Sequence, residues 1–383
     1  MTPKKRLVPL ALVGLALCAP SLLRAGFEEK LDVAPGETLE IDLETGGSLE
    51  ISGWDLDVVR IATGSDFDRG DLSIERTASG VRVEIDHGWR SERKGRRGWR
   101  NGRRLNLTIN VPLRFDLDIE TMGGEVAITD VEGRIQGETM GGNLRFSRLT
   151  GRVDFETMGG SIELTDSEVD GELETMGGRV EFRDVVGDIK GSSMGGNVVY
   201  KNVTRRDGSS TGDRVVISTM GGKIEVDDAP AGAELDTMGG QIRVGAAREF
   251  VKAETMGGNI SVGEIDGWLD LSTMGGDVEA TMVGDPSVGK RDVDISSMGG
   301  EIDLVLPAAL DMTVEIELTY TKKHQGKYSI ESDFPLQITE DAEWDYHNGS
   351  ARKVIRGIGT FGTGRNRVRI DTINGDVRLK SGS

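Results

Sequence analysis

The residues in this chain with the most obvious chemistry are those of one basic stretch. From Arg90 to Arg104 eight Arg or Lys stand against a single acid, Glu92, with Trp89 and Trp99 alongside. Guanidinium groups bind phosphate in pairs of parallel hydrogen bonds, and a Trp ring adds an amphipathic anchor. Trp89, Arg90, Arg93, Lys94, Arg96, Arg97, Trp99, Arg100, Arg103 and Arg104 therefore form the candidate site for an anionic partner, such as lipopolysaccharide, a phosphorylated polymer or an acidic protein. The bland reading is a solvated charge run, or a hairpin loop, 89–104, that folds back on its own acidic chain.

The second set is acidic. Glu120, Glu138, Glu156 and Glu174 recur at one position of a repeating pattern, continued irregularly by Ser192, Ser218, Asp236, Glu254 and Ser272. Stacked carboxylates repel, and a cation could relieve them. However, the glycine-rich calcium nonapeptide is absent, so neither a metal nor a cofactor is expected. His87, His324 and His347 all lie outside the repeats, and no catalytic residues are assigned. A polysaccharide lyase or hydrolase is the rival reading, because parallel β-helices host such enzymes. That chemistry needs carboxylates clustered with Lys, Arg or His, and acids are too abundant here for any one pair to be informative.

These residues are positioned by a repeat. Thr-Met-Gly-Gly or Ser-Met-Gly-Gly recurs with its methionine at 122, 140, 158, 176, 194, 220, 238, 256, 274 and 298. The usual step is 18 residues, lengthened near 201–213 and 284–291. After each methionine, apolar residues follow at the fourth and sixth positions (Leu144 and Phe146, Ile162 and Leu164), which is strand alternation with one buried face. A second run, such as Val153 and Phe155, leads into the next Thr. The pattern predicts an all-β fold: a single-stranded, parallel, right-handed β-helix of about 18 residues per coil. Ten coils at about 4.8 Å make a rod of about 50 Å. In this reading the glycines form a tight corner and the buried Thr residues stack and hydrogen-bond to one another. The methionines are apolar filler, and Asp130, Asp166, Asp184, Asn202 and Asp228 make the opposite corner.

The repeat array spans 118–306. A β-rich flank, 26–117, precedes it, with alternation at Thr38–Leu43 and a coil without methionine at 44–51. A C-terminal cap and closing coil occupy 307–383 and end in Asp371-Thr372-Ile373-Asn374-Gly375. Residues 1–25 read as a signal peptide: Lys4, Lys5 and Arg6, then apolar Leu7 to Leu17, then Ala25. Leu15-Ala16-Leu17-Cys18 approaches a lipoprotein signal, but Leu17 is too bulky before the cysteine. Cleavage removes four positive charges and no acid, so the net charge moves from −19 to −23. So acidic a body disfavours nucleic acid and anionic lipid as general partners. No apolar run is long enough for a membrane helix after cleavage. The mature chain is expected in the periplasm or at the cell surface of a bacterium, without disulfides.

Three features together resemble the bacterial putative adhesin family, a domain of unknown function related to auto-transporter adhesin heads. They are the coil Thr157-Met158-Gly159-Gly160-Ser161-Ile162-Glu163-Leu164, the entry Ile109-Asn110-Val111-Pro112-Leu113, and the closing Thr372-Ile373-Asn374-Gly375-Asp376-Val377. Here the family's Thr-x-Asn-Gly is regularised to Thr-Met-Gly-Gly. The resemblance implies a β-helical envelope protein and carries over no catalytic residues. The function expected is a non-catalytic exported adhesin or structural module, meeting an envelope glycan, lipopolysaccharide or another envelope protein.

Overall fold

A computed structural model describes residues 25–43, 47–64, 72–85, 105–204, 214–346 and 350–382. The described residues are all-β, with one 3-10 turn at Lys322–His324 and no α-helix. Their strands join in one largely parallel sheet that winds into a solenoid nearly closed on itself.

Two columns of strands run its length. In one, Leu117, Ile135 and Val153 stand abreast on strands Asp116–Thr121, Glu132–Thr139 and Thr150–Thr157. In the other, Val126, Leu144, Ile162 and Val180 are neighbours. Both lengthened steps keep register, for Ser193 pairs with Thr219 and Thr273 with Ser297. The apolar residues that alternation sends inward are buried at every level, from Leu144 and Phe146 to Ile302 and Leu304. A third inward column, which the reading of two short strands omits, lies nine residues after several of the methionines. Val131, Leu149, Val185, Ala229 and Ala247 fill it. Several strands run on around that corner, as Ile162–Thr175 does, and so pair more backbone than two short strands would.

The corner opposite the motif needs left-handed backbone. Asp130, Asp166, Asp184 and Asn202 adopt it, with φ between 49° and 59°, as expected of short side chains that bond locally. Arg148 occupies the same place at φ 52° and makes a two-pronged bond to Asp130 of the preceding level at 2.6 and 2.7 Å.

Both ends are closed by antiparallel strands. At the N-terminal end Val58–Gly64 lies between Ala25–Asp32 and Leu105–Pro112. The flank also carries the parallel columns further: Leu39 pairs with Leu117 and Leu49 with Val126. At the other end the chain leaves the stack after Pro307 and later returns. Asn366–Ile373 and Val377–Gly382 then stack on Val293–Ser297 and Ile302–Pro307. Met312–Thr321 covers that closing level, backed by antiparallel Arg352–Phe361. Covering the last open strand removes an edge on which further chains could pair.

The motif corner is where backbones come closest. A Cβ on the second glycine would lie 1.7 Å from the Gly124 carbonyl oxygen at Gly142, and 1.9 Å from that of Gly196 at Gly222. The first glycine is open, with nothing within 4 Å of a Cβ at Gly141 or Gly159. The Thr hydroxyls do not bond to one another as the sequence suggests, because the glycine backbone lies nearer. Thr175, Thr237 and Thr255 each donate to the second glycine's carbonyl one level back, at 2.7, 2.9 and 2.9 Å. Each accepts the N–H of its own second glycine at 3.2 Å. Ser193 and Ser297 make the same donation at 2.7 and 3.0 Å, which is why Ser replaces Thr there.

Two outcomes follow for urea unfolding. Gly240→Ala, whose Cβ would meet the Gly222 oxygen at 1.8 Å, is expected to cost about 3 kcal/mol. Its neighbour Gly239→Ala, with nothing nearer than 3.9 Å, should be neutral or gain about 0.4–1 kcal/mol. Equal losses would overturn the close-approach account. Thr255→Val leaves a carbonyl and an N–H without their hydroxyl and should cost about 1–3 kcal/mol. Thr255→Ser keeps the hydroxyl and should lose only the methyl, about 1 kcal/mol.

Candidate functional site

Strand alternation sends the residues on either side of each buried Thr outward. Thr157 is 2% exposed, while Met158 beside it is 51% exposed. All ten motif methionines behave alike, at 45–57%. This corrects the reading of methionine as corner filler. The space inside the corner is taken by the Thr side chain, and the next Cβ has to face solvent. Among the described residues, Met282 and Met312, at 2% and 0%, are the filler methionines.

The methionine backbone stays tied from level to level. Met158 N–H donates to Thr139 O and Met176 N–H to Thr157 O, both at 3.1 Å. Across the longer step Met220 N–H donates to Met194 O at 2.9 Å. Successive methionines are thus held at the spacing of paired strands, about 4.8 Å, and the insertions do not break the row.

Before each Thr stands the acidic column. Asp42, Glu120, Glu138, Glu156, Glu174 and Ser192 are successive neighbours. With Met122, Met140, Met158, Met176 and Met194 they line a groove of about 550 Å³ along the outside. A shallower hollow of about 300 Å³ adjoins it, lined by Asp118, Gln136, Asp154 and Glu172 together with the Glu column.

Some outer acids are paired, as in Arg148–Asp130, Arg152–Asp154 and Arg183–Glu181. Among the described residues no basic group lies within ion-pair distance of Glu120, Glu138 or Glu156. Ser192 Oγ donates to Glu174 at 3.0 Å. Burial, then repulsion from Glu174 and a hydrogen bond that the protonated Glu172 donates to Glu174, push the Glu172 carboxyl above the usual range. No group of three or more His, Cys, Asp or Glu among the described residues is placed to share a metal ion.

The remaining sequence candidates are placed as follows. Trp89, Arg90 and the rest of the basic stretch to Arg104 lie outside the described residues, as do His87, His347 and Cys18. The strands leading to and from that stretch, Gly80–Ile85 and Leu105–Pro112, belong to the first levels of the solenoid. Of the two lengthened steps, 205–213 is also outside. The other, 284–291, is pinned by Arg291, which is 2% exposed. Its guanidinium donates to Val283 O at 2.7 Å, to Val288 O at 3.1 Å and to Asp266. His324 meets the Thr321 hydroxyl at 2.9 Å and the Tyr328 ring at 5.8 Å between centroids, in the C-terminal cap.

No protein-family model matches the chain, and no curated protein matches it. Solved structures do. One, described as a putative adhesin from Parabacteroides distasonis, is 11% identical over 73% of this chain and 96% of its own, with a TM-score of 0.33. A putative cell adhesion protein from Clostridium sporogenes is 13% identical over 93% and 99%, with a TM-score of 0.17. A putative lipid binding protein from Parabacteroides distasonis is 12% identical over 73% and 96%, at 0.28. The adhesin descriptions match the family that the coil pattern resembles.

The methionine row is what sequence reasoning missed. Its signal was present, since a residue next to an inward Thr on a strand has to point outward. The electrostatics give one expected outcome. A carboxyl whose folded pKa is raised binds its proton more tightly when folded, so its repulsion weakens the fold above that pKa and fades as pH falls through it. Glu172→Gln should therefore stabilise the protein at pH 7 by about 0.2–1 kcal/mol, the scale of cross-strand charge pairs. The gain should shrink towards pH 4. Thermal melting at both pH values checks this, and a gain that grows on acidification would contradict it.

Proposed function

We propose that this chain is an exported, non-catalytic binding or structural module of a bacterial cell envelope. On this reading it winds as a right-handed, single-stranded β-helix with about 18 residues per coil. Pairing between residues eighteen positions apart supports the coil length, and the strong bias of crossovers supports the hand. Export rests on the basic, apolar and small-residue order of residues 1–25. No helix among the described residues is long and apolar enough to cross a membrane.

The observation that carries the binding role is the groove. Its walls repeat the same Glu, Thr and Met from level to level, whereas an enzyme's pocket assembles different groups at one point. The interior is filled by Phe115, Phe146, Phe155 and Phe182 and their aliphatic neighbours, so a partner would be met on the outside. Such a surface suits an extended partner that is not itself anionic: an envelope glycan or another envelope protein. The Arg90–Arg104 stretch is a second contact, of opposite charge to the rest of the chain, reserved for phosphate-bearing partners. The rival reading, a polysaccharide lyase or hydrolase, draws on the Glu172 and Glu174 carboxyls, whose environment raises one of them.

Lipopolysaccharide and glycan binding by residues 26–383, with and without 90–104, tests the proposal. Deletion should weaken lipopolysaccharide binding at least about tenfold, or about 1.4 kcal/mol, and flatten its salt dependence. Unchanged affinity would remove the basic stretch from the function. New reducing or unsaturated ends on acidic polysaccharides, lost in Glu172→Gln, would replace the binding role with the enzymatic one.

A further inference from the structure

We propose that the row of motif methionines binds soft monovalent cations, copper(I) or silver(I), between thioethers of successive levels. The ten positions are half-exposed corners. Solvent-facing places on a strand accept many side chains, with β-branched residues suiting the sheet better and polar ones serving solubility better. Sulfur is the property these ten share that neither class offers. The thioether is a neutral, soft ligand that favours copper(I) over hard cations.

The spacing fits. Metal–sulfur bonds are about 2.3 Å, as known for zinc thiolates, so two sulfurs facing each other across one ion stand about 4.6 Å apart. Paired strands set the methionines about 4.8 Å apart, and their N–H groups are locked at that step. Access is open as well. The first glycine after each methionine has no side chain, and at Gly141 and Gly159 the space a Cβ would face is empty to 4 Å.

A neutral thioether pair leaves the cation's charge uncompensated. For Met122 to Met176 the Glu120 to Glu174 column supplies the compensation two residues away on the same outer side, and it raises the local cation concentration; Asp236 and Glu254 do so for Met238 and Met256. The selective element is sulfur, because carboxylates alone prefer hard ions. This inference does not depend on which macromolecule the rod meets.

Ten thioethers taken in adjacent pairs make up to five sites. The test is anaerobic titration of residues 26–383 with copper(I) against a chromogenic copper(I) chelator, repeated with silver(I) by calorimetry. Up to five copper(I) ions should be held, with sulfur neighbours at about 2.3 Å in X-ray absorption. Met140→Leu, Met158→Leu and Met176→Leu combined leave three adjacent pairs, and the capacity should fall from five to three. Met238→Leu, Met256→Leu and Met274→Leu combined, in the other half, should do the same. Leucine keeps the row apolar, so an apolar docking surface would survive these changes while a metal site would not. Circular dichroism checks the fold of both variants. Glu138→Gln with Glu156→Gln should keep the capacity and weaken affinity about tenfold. The proposal is overturned by unchanged capacity in both leucine variants, by failure to hold copper(I) against the chelator, or by displacement with calcium or zinc.

Discussion

The structure depends on one contact, the approach of backbone to backbone at the Gly-Gly corner. At the second glycine the chain passes so close to the carbonyl one level back that no Cβ fits, for example at Gly258 over Gly240. The Thr hydroxyl bridges the same gap, donating to the carbonyl behind and accepting from its own glycine N–H. A buried corner would otherwise strand polar backbone groups at every level, and each unpartnered group carries a desolvation cost. The glycine supplies room and the hydroxyl supplies partners. Neither would serve without the other, and so they recur together.

Parallel stacking multiplies each local choice. Placing residue i beside residue i+18 sets like beside like, which is favourable for Phe146 next to Leu164 and unfavourable for Glu138 next to Glu156. Some outer positions escape repulsion through an Arg nearby, as at Asp130 and Arg148. The Glu column has no such relief from described residues, and Glu172 beside it is forced towards protonation. Cross-strand like charges are destabilising. A chain that kept four of them in line while varying the rest tolerated that cost at this one face. The same stacking also explains the caps, because an uncapped level would offer a full row of backbone groups to another chain.

Much of this was legible without coordinates. Period-2 alternation sent Leu144, Phe146, Ile162 and Leu164 inward, and all are buried. The closing coil at Thr372 to Val377 and the coil without methionine at Leu49 and Ile51 also pair where the pattern places them. What failed did so for physical reasons. Thr–Thr bonding was inferred from side-chain type, but the competing acceptor was backbone that a one-dimensional pattern does not show. The third inward column was diluted by small or polar members such as Ala229 and Ser167. Methionine was judged by its usual role in cores, although its position next to an inward Thr already pointed it outward. The basic stretch is legible as composition only. The strands that flank it in sequence, Gly80–Ile85 and Leu105–Pro112, belong to the first levels.

Repetition itself argues about function. Stacked near-identical levels repeat one group along a line. On this chain the line that departs furthest from structural need is the methionine row, because the closing level holds the equivalent position without it. Thr372 pairs with Ser297, and Ile373 follows Thr372 where the motif has methionine. The corner of the closing level therefore folds without a thioether. The ten levels before it carry sulfur at the surface, where the corner's own hydrogen bonds do not use it.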